Sequence, residues 1–185
     1  MLYATNIESA AVKFGCEREK MALQKFATEY DISIAPAGLF VDTDYGYIGV
    51  SPDGLVGEDA LVEVKCSYKL FRSGGTLLEA AIVDRTFCLH VNSEGQLQLK
   101  RHHDYYYQIQ GQLNVTKRKI CYFVIYISDD VPLYVEKIFR DSTLWNNDML
   151  PKIKNFYLNC VLPEIINKNI MNGRTCPHHA RQTLI

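Results

Sequence analysis

The apolar run Cys121–Ile127 constrains the fold of this chain more than any other segment. Its seven residues, CYFVIYI, are all apolar or aromatic, and a strand of this kind has to be covered on both faces. A second apolar strand is predicted over Leu133–Phe139, and the spacing of apolar residues predicts an amphipathic helix over Ala10–Tyr30. The sequence therefore predicts an α+β fold, in which helices flank a mixed β-sheet.

Composition and charge exclude several classes of protein. The 185 residues contain 20 Lys and Arg against 21 Asp and Glu, so a bound polyanion has to meet a local basic patch. An apolar content of 48% excludes collagen, coiled coils and disordered tails. No apolar run approaches the roughly 20 residues of a membrane helix, and the first residues do not resemble a signal peptide. We expect a soluble, intracellular protein without a membrane partner, in the cytoplasm or, in a eukaryotic host, in the nucleus.

The organisation of the chain is simple, because no internal repeat and no linker stands out. Residues 1–170 are predicted as one domain and residues 171–185 as a flexible tail. The six cysteines include no CxxC pair, which favours reduced thiols. Near the end, Cys176, His178 and His179 could contribute to a zinc site, but a loose tail is the favoured interpretation.

Short apolar runs and turns predict the remaining elements. The further predicted strands are Gly38–Val41, Tyr47–Val50, Leu55–Val56 and Leu61–Cys66, the last two joined by a hairpin turn, followed by a small hairpin over residues 87–99. The further predicted helices are one through Leu77, Leu78 and Ile82, one over Asp104–Val115, and a final one over residues 143–167 that Pro151 and Pro163 interrupt.

The first hairpin contains the residues with the clearest chemistry. Side chains alternate along a strand, so Glu63 and Lys65 share one face while Val62 and Val64 pack on the other. Asp53 lies in the turn SPDG before the hairpin, and folding back brings this turn near the middle of the second strand. Two carboxylates from adjacent backbone segments make a hard-oxygen site that suits Mg²⁺ or Mn²⁺.

Two further charged residues extend this site. The Lys65 ammonium can orient an attacking water and offset charge on a phosphoryl oxygen. Glu19 lies on the apolar stripe of the first helix, so it is either the end of that stripe near solvent or a third carboxylate ligand. The alternative is an exposed ion pair between Glu63 and Lys65, worth under about 1 kcal/mol, beside an ordinary turn.

Four blocks of the sequence resemble PD-(D/E)xK nucleases of the phage lambda exonuclease branch, the YqaJ-type viral recombinase family. In the family's order, the blocks are GCEREKMA from Gly15, SPDG from Ser51, VEVKC from Val62 and YYYQIQGQLNVT from Tyr105. The last block, a Tyr-x-x-Gln-x-Gln helix that runs into Val-Thr and a strand, is specific to this branch. The resemblance covers most of the chain and implies a restriction-endonuclease-like fold.

The resemblance also implies an activity and partners. It implies a metal-dependent, processive 5′ to 3′ exonuclease on double-stranded DNA, which acts in DNA recombination or repair and is often paired with a single-strand annealing protein. Because the branch includes a toroidal trimer, it implies a homotrimer as well. Family members usually carry a helix before the Gly15 block that grips the DNA end. Here fourteen residues precede Gly15, so we expect that part to be missing or displaced.

The family's site residues map onto matching positions of this sequence. The resemblance implies that Asp53, Glu63 and the carbonyl of Val64 bind Mg²⁺ or Mn²⁺, and that Lys65 positions the water. Glu19 would approach a second metal or its waters. From the last block, Gln108 would lie beside the active site, while Tyr105 and Gln110 would support the helix or contact the DNA strand.

The basic residues around the glutamine helix predict where DNA phosphates bind. Residues 99–119 contain five Lys and Arg against one Asp. The predicted phosphate-binding residues are Lys69, Arg72, Lys100, Arg101, Lys117 and Arg118. Ser51 is added from the SPDG block, and Tyr105 and Gln110 are added because the resemblance implies that they could contact the DNA strand. The alternative is a solvated basic loop at each end of the helix, favoured by the helix dipole at the C-terminal end.

Two other functions compete with the exonuclease. The same site could cleave DNA internally, as restriction-like relatives do. The chain could instead be a DNA-binding module with a degenerate nuclease fold, but intact Asp53, Glu63 and Lys65 argue against this third hypothesis.

Overall fold

The computed structural model describes residues 10–167. These residues form two compact units, residues 10–141 and residues 142–167. The boundary falls inside the range 1–170 that the sequence predicts as one domain. The sequence does not reveal this boundary, because no glycine-rich or proline-rich linker marks it. The predicted tail over residues 171–185, with the candidate zinc ligands Cys176, His178 and His179, lies outside the described residues.

The first unit combines helices with short strands. Its helices are α1 (Ala10–Tyr30), α2 (Tyr68–Ser73), α3 (Leu77–Val83) and α4 (Asp104–Thr116). Its strands are β1 (Ile34–Ala35), β2 (Phe40–Val41), β3 (Gly49–Val50), β4 (Gly54–Val56), β5 (Ala60–Cys66), β6 (Leu89–Val91), β7 (Leu97–Leu99), β8 (Ile120–Tyr126) and β9 (Tyr134–Phe139). Within residues 10–167, no helix is both long and apolar enough to cross a bilayer.

The main sheet is mixed, as the sequence predicts. Its strand order is β1-β4-β5-β8-β9, and β5 pairs with β8 in parallel while its other neighbour, β4, is antiparallel. The predicted central strand, β8, lies between β5 and β9 and buries Cys121, Phe123 and Val124 completely. The two remaining strand pairs, β2-β3 and β6-β7, form separate antiparallel hairpins.

Helices pack against opposite faces of strand β5. On one face, Ala22 and Phe26 of α1 join Val62 and Val64 in an apolar cluster that also includes Tyr126. These residues are buried because apolar area removed from water stabilises the fold by about 25 cal/mol per Å². On the other face, polar side chains of α4 approach the strand. This division confirms the alternation predicted from the strand period of two.

The first residue of β4, Gly54, has to be a glycine. A Cβ atom on Gly54 would lie 2.4 Å from Cγ2 of Ile34 and 3.0 Å from Cγ1 of Val62. Distances this short are far inside van der Waals contact, so a side chain at Gly54 would push β1 or β5 away. The close packing fixes the position of Asp53, the residue that precedes this glycine.

The second unit is one helical stretch with two wider turns. It consists of α5 (Ser142–Leu144), a π-helical turn (Trp145–Met149), α6 (Leu150–Phe156), a second π-helical turn (Tyr157–Val161) and α7 (Leu162–Asn167). Each π-helical turn ends two residues before a proline, Pro151 or Pro163. Proline lacks the N–H and crowds the carbonyl four residues earlier, and a wider turn removes this conflict. The predicted interruptions are therefore local wide turns within a continuous helix.

Candidate active site

The register of the β4–β5 hairpin brings Asp53 opposite Glu63. The hairpin pairs Gly54 with Val62, and continuing this register by one residue beyond the end of β4 places Asp53 opposite Glu63. Opposed residues on antiparallel strands direct their side chains to the same face of the sheet. In addition, the backbone N–H of Val64 donates a hydrogen bond of 2.7 Å to Oδ2 of Asp53. The predicted approach of the SPDG turn to the middle of the second strand is present.

Glu63 is a buried carboxylate with three hydrogen-bond donors. Its exposed fraction is 1%. Oε1 accepts from Nζ of Lys65 at 2.5 Å and from Nε2 of Gln108 at 2.7 Å, while Oε2 accepts from Nε2 of Gln112 at 2.7 Å. A buried carboxylate is tolerated when it is paired and hydrogen-bonded in this way. Two glutamines of α4 and the lysine of its own strand therefore fix the orientation of Glu63.

Asp53 has an unusual affinity for protons. Burial and then repulsion by Glu63 raise the pKa of Asp53 to about 7, against the opposing effect of the Val64 N–H. The charges of Glu19 and Lys65 contribute less, in opposite directions. Two neighbouring carboxylates hold a proton more tightly when no cation is present, because their charges repel. A divalent cation near both groups would favour their ionised forms.

Lys65 is positioned as an ammonium group at the edge of a cavity. Burial acts to lower the pKa of Lys65, but attraction to Glu63 and the hydrogen bond between them outweigh it and raise this pKa. Nζ also lies 4.8 Å from the centre of the Tyr105 ring, a cation–π distance. The adjacent cavity has a volume of about 360 Å³ and is lined by Lys65, Tyr105 and His103 among others, but not by Asp53 or Glu63.

The oxygen donors fit a small divalent cation. Within residues 10–167, no group of three or more His, Cys, Asp or Glu side chains is arranged to hold a metal ion. Mg²⁺ usually keeps several waters and binds one or two carboxylates together with substrate phosphates, and Asp53 and Glu63 are carboxylates of the kind that it takes. Glu19, predicted as a third carboxylate, does not complete such a group and acts on Asp53 through its charge.

Two predicted residues of α4 have different surroundings. Gln108 contacts Glu63 directly, as described above, and its position beside the site agrees with the resemblance. Gln110 is fully buried, with Nε2 donating to the carbonyl of Phe139 at 2.9 Å and Oε1 accepting from the N–H of Asp141 at 2.7 Å. Of the two roles that the resemblance implies for Gln110, burial favours support of the helix over contact with DNA.

Several predicted DNA-binding residues hold parts of the protein together. Their partners are Asp84 for Lys69 (2.7 Å), the Arg85 carbonyl for Lys100 (2.8 Å), the Tyr106 hydroxyl for Arg101 (2.6 Å), and the carbonyls of Gly57 and Ala60 for Arg118 (2.7 and 2.6 Å). The Lys69 ammonium and Thr86 hold the pKa of Asp84 well below its usual value. Arg72 and Lys117 are exposed side chains that can approach a phosphate.

Sequence reasoning did not assign a role to Gln112. Its Nε2 also lies 3.5 Å from the carbonyl of Ser51, so Gln112 connects α4 to the SPDG turn as well as to Glu63. The relevant signal was present, because Gln108 and Gln112 are four residues apart and therefore lie on one stripe of the helix. The sequence did not reveal which strand that stripe faces.

Solved exonuclease structures share this fold. LHK-Exo in complex with dAMP has 26% sequence identity and a TM-score of 0.54, and the match covers 82% of this chain and 66% of that chain. A second structure of this alkaline exonuclease, from Laribacter hongkongensis, has the same identity and TM-score, with 81% and 66% coverage. A phage related exonuclease from Haemophilus somnus 129PT, at 17% identity and a TM-score of 0.52, shares the fold, with 83% and 70% coverage. This chain thus spans slightly less than two thirds of the Laribacter exonuclease.

The family is shown by a match to the sequence itself. No protein of curated function matches the chain. The YqaJ-like viral recombinase domain matches residues 1–119, a range that includes all four sequence blocks together with Asp53, Glu63 and Lys65. The mixed sheet with flanking helices agrees with the PD-(D/E)xK-like fold of the exonuclease structures. The chain therefore belongs to the family of the YqaJ-like viral recombinase domain.

Proposed function

We propose that this chain is a Mg²⁺- or Mn²⁺-dependent deoxyribonuclease that degrades double-stranded DNA as an exonuclease in recombination or repair. The observation that carries the proposal is the buried, hydrogen-bonded Glu63 opposite Asp53, with the Lys65 ammonium bound to it. The family and the similarity to proteins named exonucleases support the reaction class. A degenerate binding module would have no need for the buried Glu63 beside a half-buried Asp53, because withdrawing carboxylates from water costs free energy.

The residues divide the chemistry of phosphodiester hydrolysis among them. Asp53, Glu63 and the Val64 carbonyl would hold the cation, which, when bound, polarises the phosphate and acidifies a water. The Lys65 ammonium borders a cavity, where it can donate hydrogen bonds to the attacking water and to a phosphate oxygen. The Tyr105 ring restricts the motion of that ammonium through the cation–π contact.

Binding of DNA would use exposed basic side chains of the first unit. Arg72 and Lys117 are exposed and can contact phosphates without giving up a contact described above. Phosphate contacts of this kind fix the position of a duplex without reading its sequence, which suits a degrading enzyme. The family resemblance extends the proposal to 5′ to 3′ polarity, a single-strand annealing partner and a homotrimer.

The decisive experiment compares DNA ends with closed DNA. Purified protein is incubated with end-labelled linear duplex and with closed circular duplex, each with Mg²⁺ or with a chelator, alongside Lys65→Ala. We expect Mg²⁺-dependent loss of the linear DNA alone, abolished in the variant. Cleavage of the circle would establish an endonuclease with the same site. Binding of both DNAs without degradation in any condition would support the degenerate module.

A further inference from the structure

Gln112 has a hydrogen-bonding arrangement that stability alone does not explain. Its side chain is 2% exposed. Nε2 lies between two acceptors, Oε2 of Glu63 at 2.7 Å and the carbonyl of Ser51 at 3.5 Å. Oε1 is the one buried side-chain oxygen or nitrogen within the described chain that has no hydrogen-bond partner. A buried acceptor without a donor costs free energy, so its presence calls for a physical reason.

The surroundings of Nε2 supply that reason. Reversing the amide would place Oε1 against the Glu63 carboxylate and the Ser51 carbonyl, which are both acceptors. The amide is thus held in the orientation that gives Glu63 a donor, even though its own oxygen stays unpaired. Oε1 of Gln112 stays unpaired because Nε2 holds the Glu63 carboxylate, and this lowers folding stability. Local losses of stability of this kind concentrate at functional sites.

The orientation of Gln112 leaves Glu63 with a hydrogen-bond acceptor position that no protein group within residues 10–167 uses. An ionised carboxylate offers about four lone-pair positions, two on each oxygen. Lys65 and Gln108 occupy both positions on Oε1, and Gln112 occupies one position on Oε2. One acceptor position remains, and it belongs to the oxygen that Gln112 holds.

We propose that Gln112 is a positioning residue, which holds Oε2 of Glu63 so that the remaining acceptor position of this oxygen binds the divalent cation. The inference rests on the proposed metal site at Asp53 and Glu63. It assigns the two glutamines of α4 different roles, since Gln108 shares Oε1 with the lysine. Loss of a group that orients a metal ligand typically weakens metal binding by about 10- to 100-fold.

The chain contains a matched control two residues away. Gln110 lies on the same helix and is equally buried, but its amide bonds the backbone at Phe139 and Asp141 and does not contact Glu63. Replacing Gln110 by Leu removes two hydrogen bonds and leaves two backbone groups without their partners. Replacing Gln112 by Leu removes the unpaired oxygen as well as the donor. If Gln110 is purely structural and Gln112 is a positioning residue, Gln110→Leu should lower stability more, whereas Gln112→Leu should lower metal affinity more.

The test measures metal binding without DNA. Mn²⁺ alone is titrated into the full chain and followed by electron paramagnetic resonance of the free ion, for the wild type, Gln112→Leu, Gln112→Asn and Gln110→Leu. Asn keeps an amide but is one methylene too short to reach Glu63. We expect the Mn²⁺ dissociation constant to rise about tenfold or more in both Gln112 variants and to stay unchanged in Gln110→Leu. Circular dichroism should show the larger drop in melting temperature for Gln110→Leu.

The outcomes separate the two proposals. If the wild type binds Mn²⁺ and the Gln112 variants bind it with the same affinity, the role of Gln112 is overturned and the nuclease proposal stands. A wild-type chain that binds no Mn²⁺ would overturn the metal site and, with it, the inference. If Gln112→Leu does not fold, Gln112→Asn decides between these results, and equal affinities in Gln112→Asn and Gln110→Leu would refute the positioning role.

Discussion

The two faces of strand β5 are held by different kinds of interaction. On the face toward α1, Val62 and Val64 belong to an apolar cluster whose stability depends on buried area and shape. On the face toward α4, Glu63 is equally buried but depends on three specific donors. The first face can accept other apolar side chains of similar volume, while the second requires particular polar groups at particular distances. Because side chains alternate along β5, one face of the strand contributes to the apolar core and the other carries the residues of the candidate site.

The largest effect is expected on the polar face. Glu63→Gln keeps the shape of the side chain, but it removes one of the two proposed anionic metal ligands and sets one amide donor against others. We expect the cleavage rate to fall roughly 100-fold or more, because charge stabilisation in the buried site is lost. Single-turnover cleavage of labelled duplex measures this rate, with circular dichroism at the assay temperature as the control for folding. A rate within about tenfold of the wild type would contradict the assigned role.

The next effect concerns the apolar face. Val62→Ala deletes two methyl groups from a fully buried position. The expected cost is about 2 kcal/mol of unfolding free energy, from lost transfer energy and the small cavity that remains. Urea unfolding measures it, and the cleavage rate per folded molecule should stay unchanged. Loss of activity without loss of stability would show that the two faces are coupled.

The pH dependence of stability tests the environment of Asp53 beside Glu63 on the polar face. In the metal-free folded protein the pKa of Asp53 is about 7, above its usual value of 3.8. Below about pH 4, Asp53 is protonated in both the folded and the unfolded chain, so the contribution of its raised pKa to the free energy of unfolding is fully present. As the pH rises toward 7, the unfolded chain ionises first and this contribution is lost. In chelator, the free energy of unfolding of wild type relative to Asp53→Asn should therefore decrease with pH, and a constant difference would argue against a raised pKa of Asp53 beside Glu63.

The smallest effect is expected outside both faces. Lys117 ends α4 in the left-handed conformation, with a φ of 60°, which glycine adopts without strain. Lys117→Gly should therefore leave folding stability intact while removing the proposed phosphate contact of Lys117. The slope of log K against log[salt] for duplex binding should decrease in magnitude by about one. An unchanged slope would place Lys117 away from the DNA, and Arg72→Ala provides the parallel measurement at the second exposed cation.

Much of the fold follows from local patterns in the sequence. The bounds of α1, both predicted hairpins and the interior position of β8 between two other strands agree with predictions from periodicity and turn residues. Strand β1 was not predicted, because its two residues, Ile34 and Ala35, are too few to show a period. Helix α2 was missed for a similar reason, since its six residues barely exceed one and a half turns.

The candidate site was predictable in its chemistry but less so in its contacts. The motif spacing placed Asp53, Glu63 and Lys65 together, because hairpin register and strand alternation are local properties. The donors from α4 come from about 45 residues away, and only the folded chain shows which side of that helix meets the strand. The basic residues illustrate the same limit, since Arg118 bonds the carbonyls of a distant hairpin turn, which composition cannot reveal.

The packing around Gly54 makes the spacing of the acidic pair a property of the sheet itself. Neighbouring strands are about 4.7–4.9 Å apart, and this interval cannot be adjusted gradually. A shift of the β4–β5 register by one residue would move Asp53 to the opposite side of the sheet from Glu63. Changes that shift this register should therefore abolish the proposed nuclease activity in one step, whereas substitutions in the loop that keep the register leave the spacing as it is.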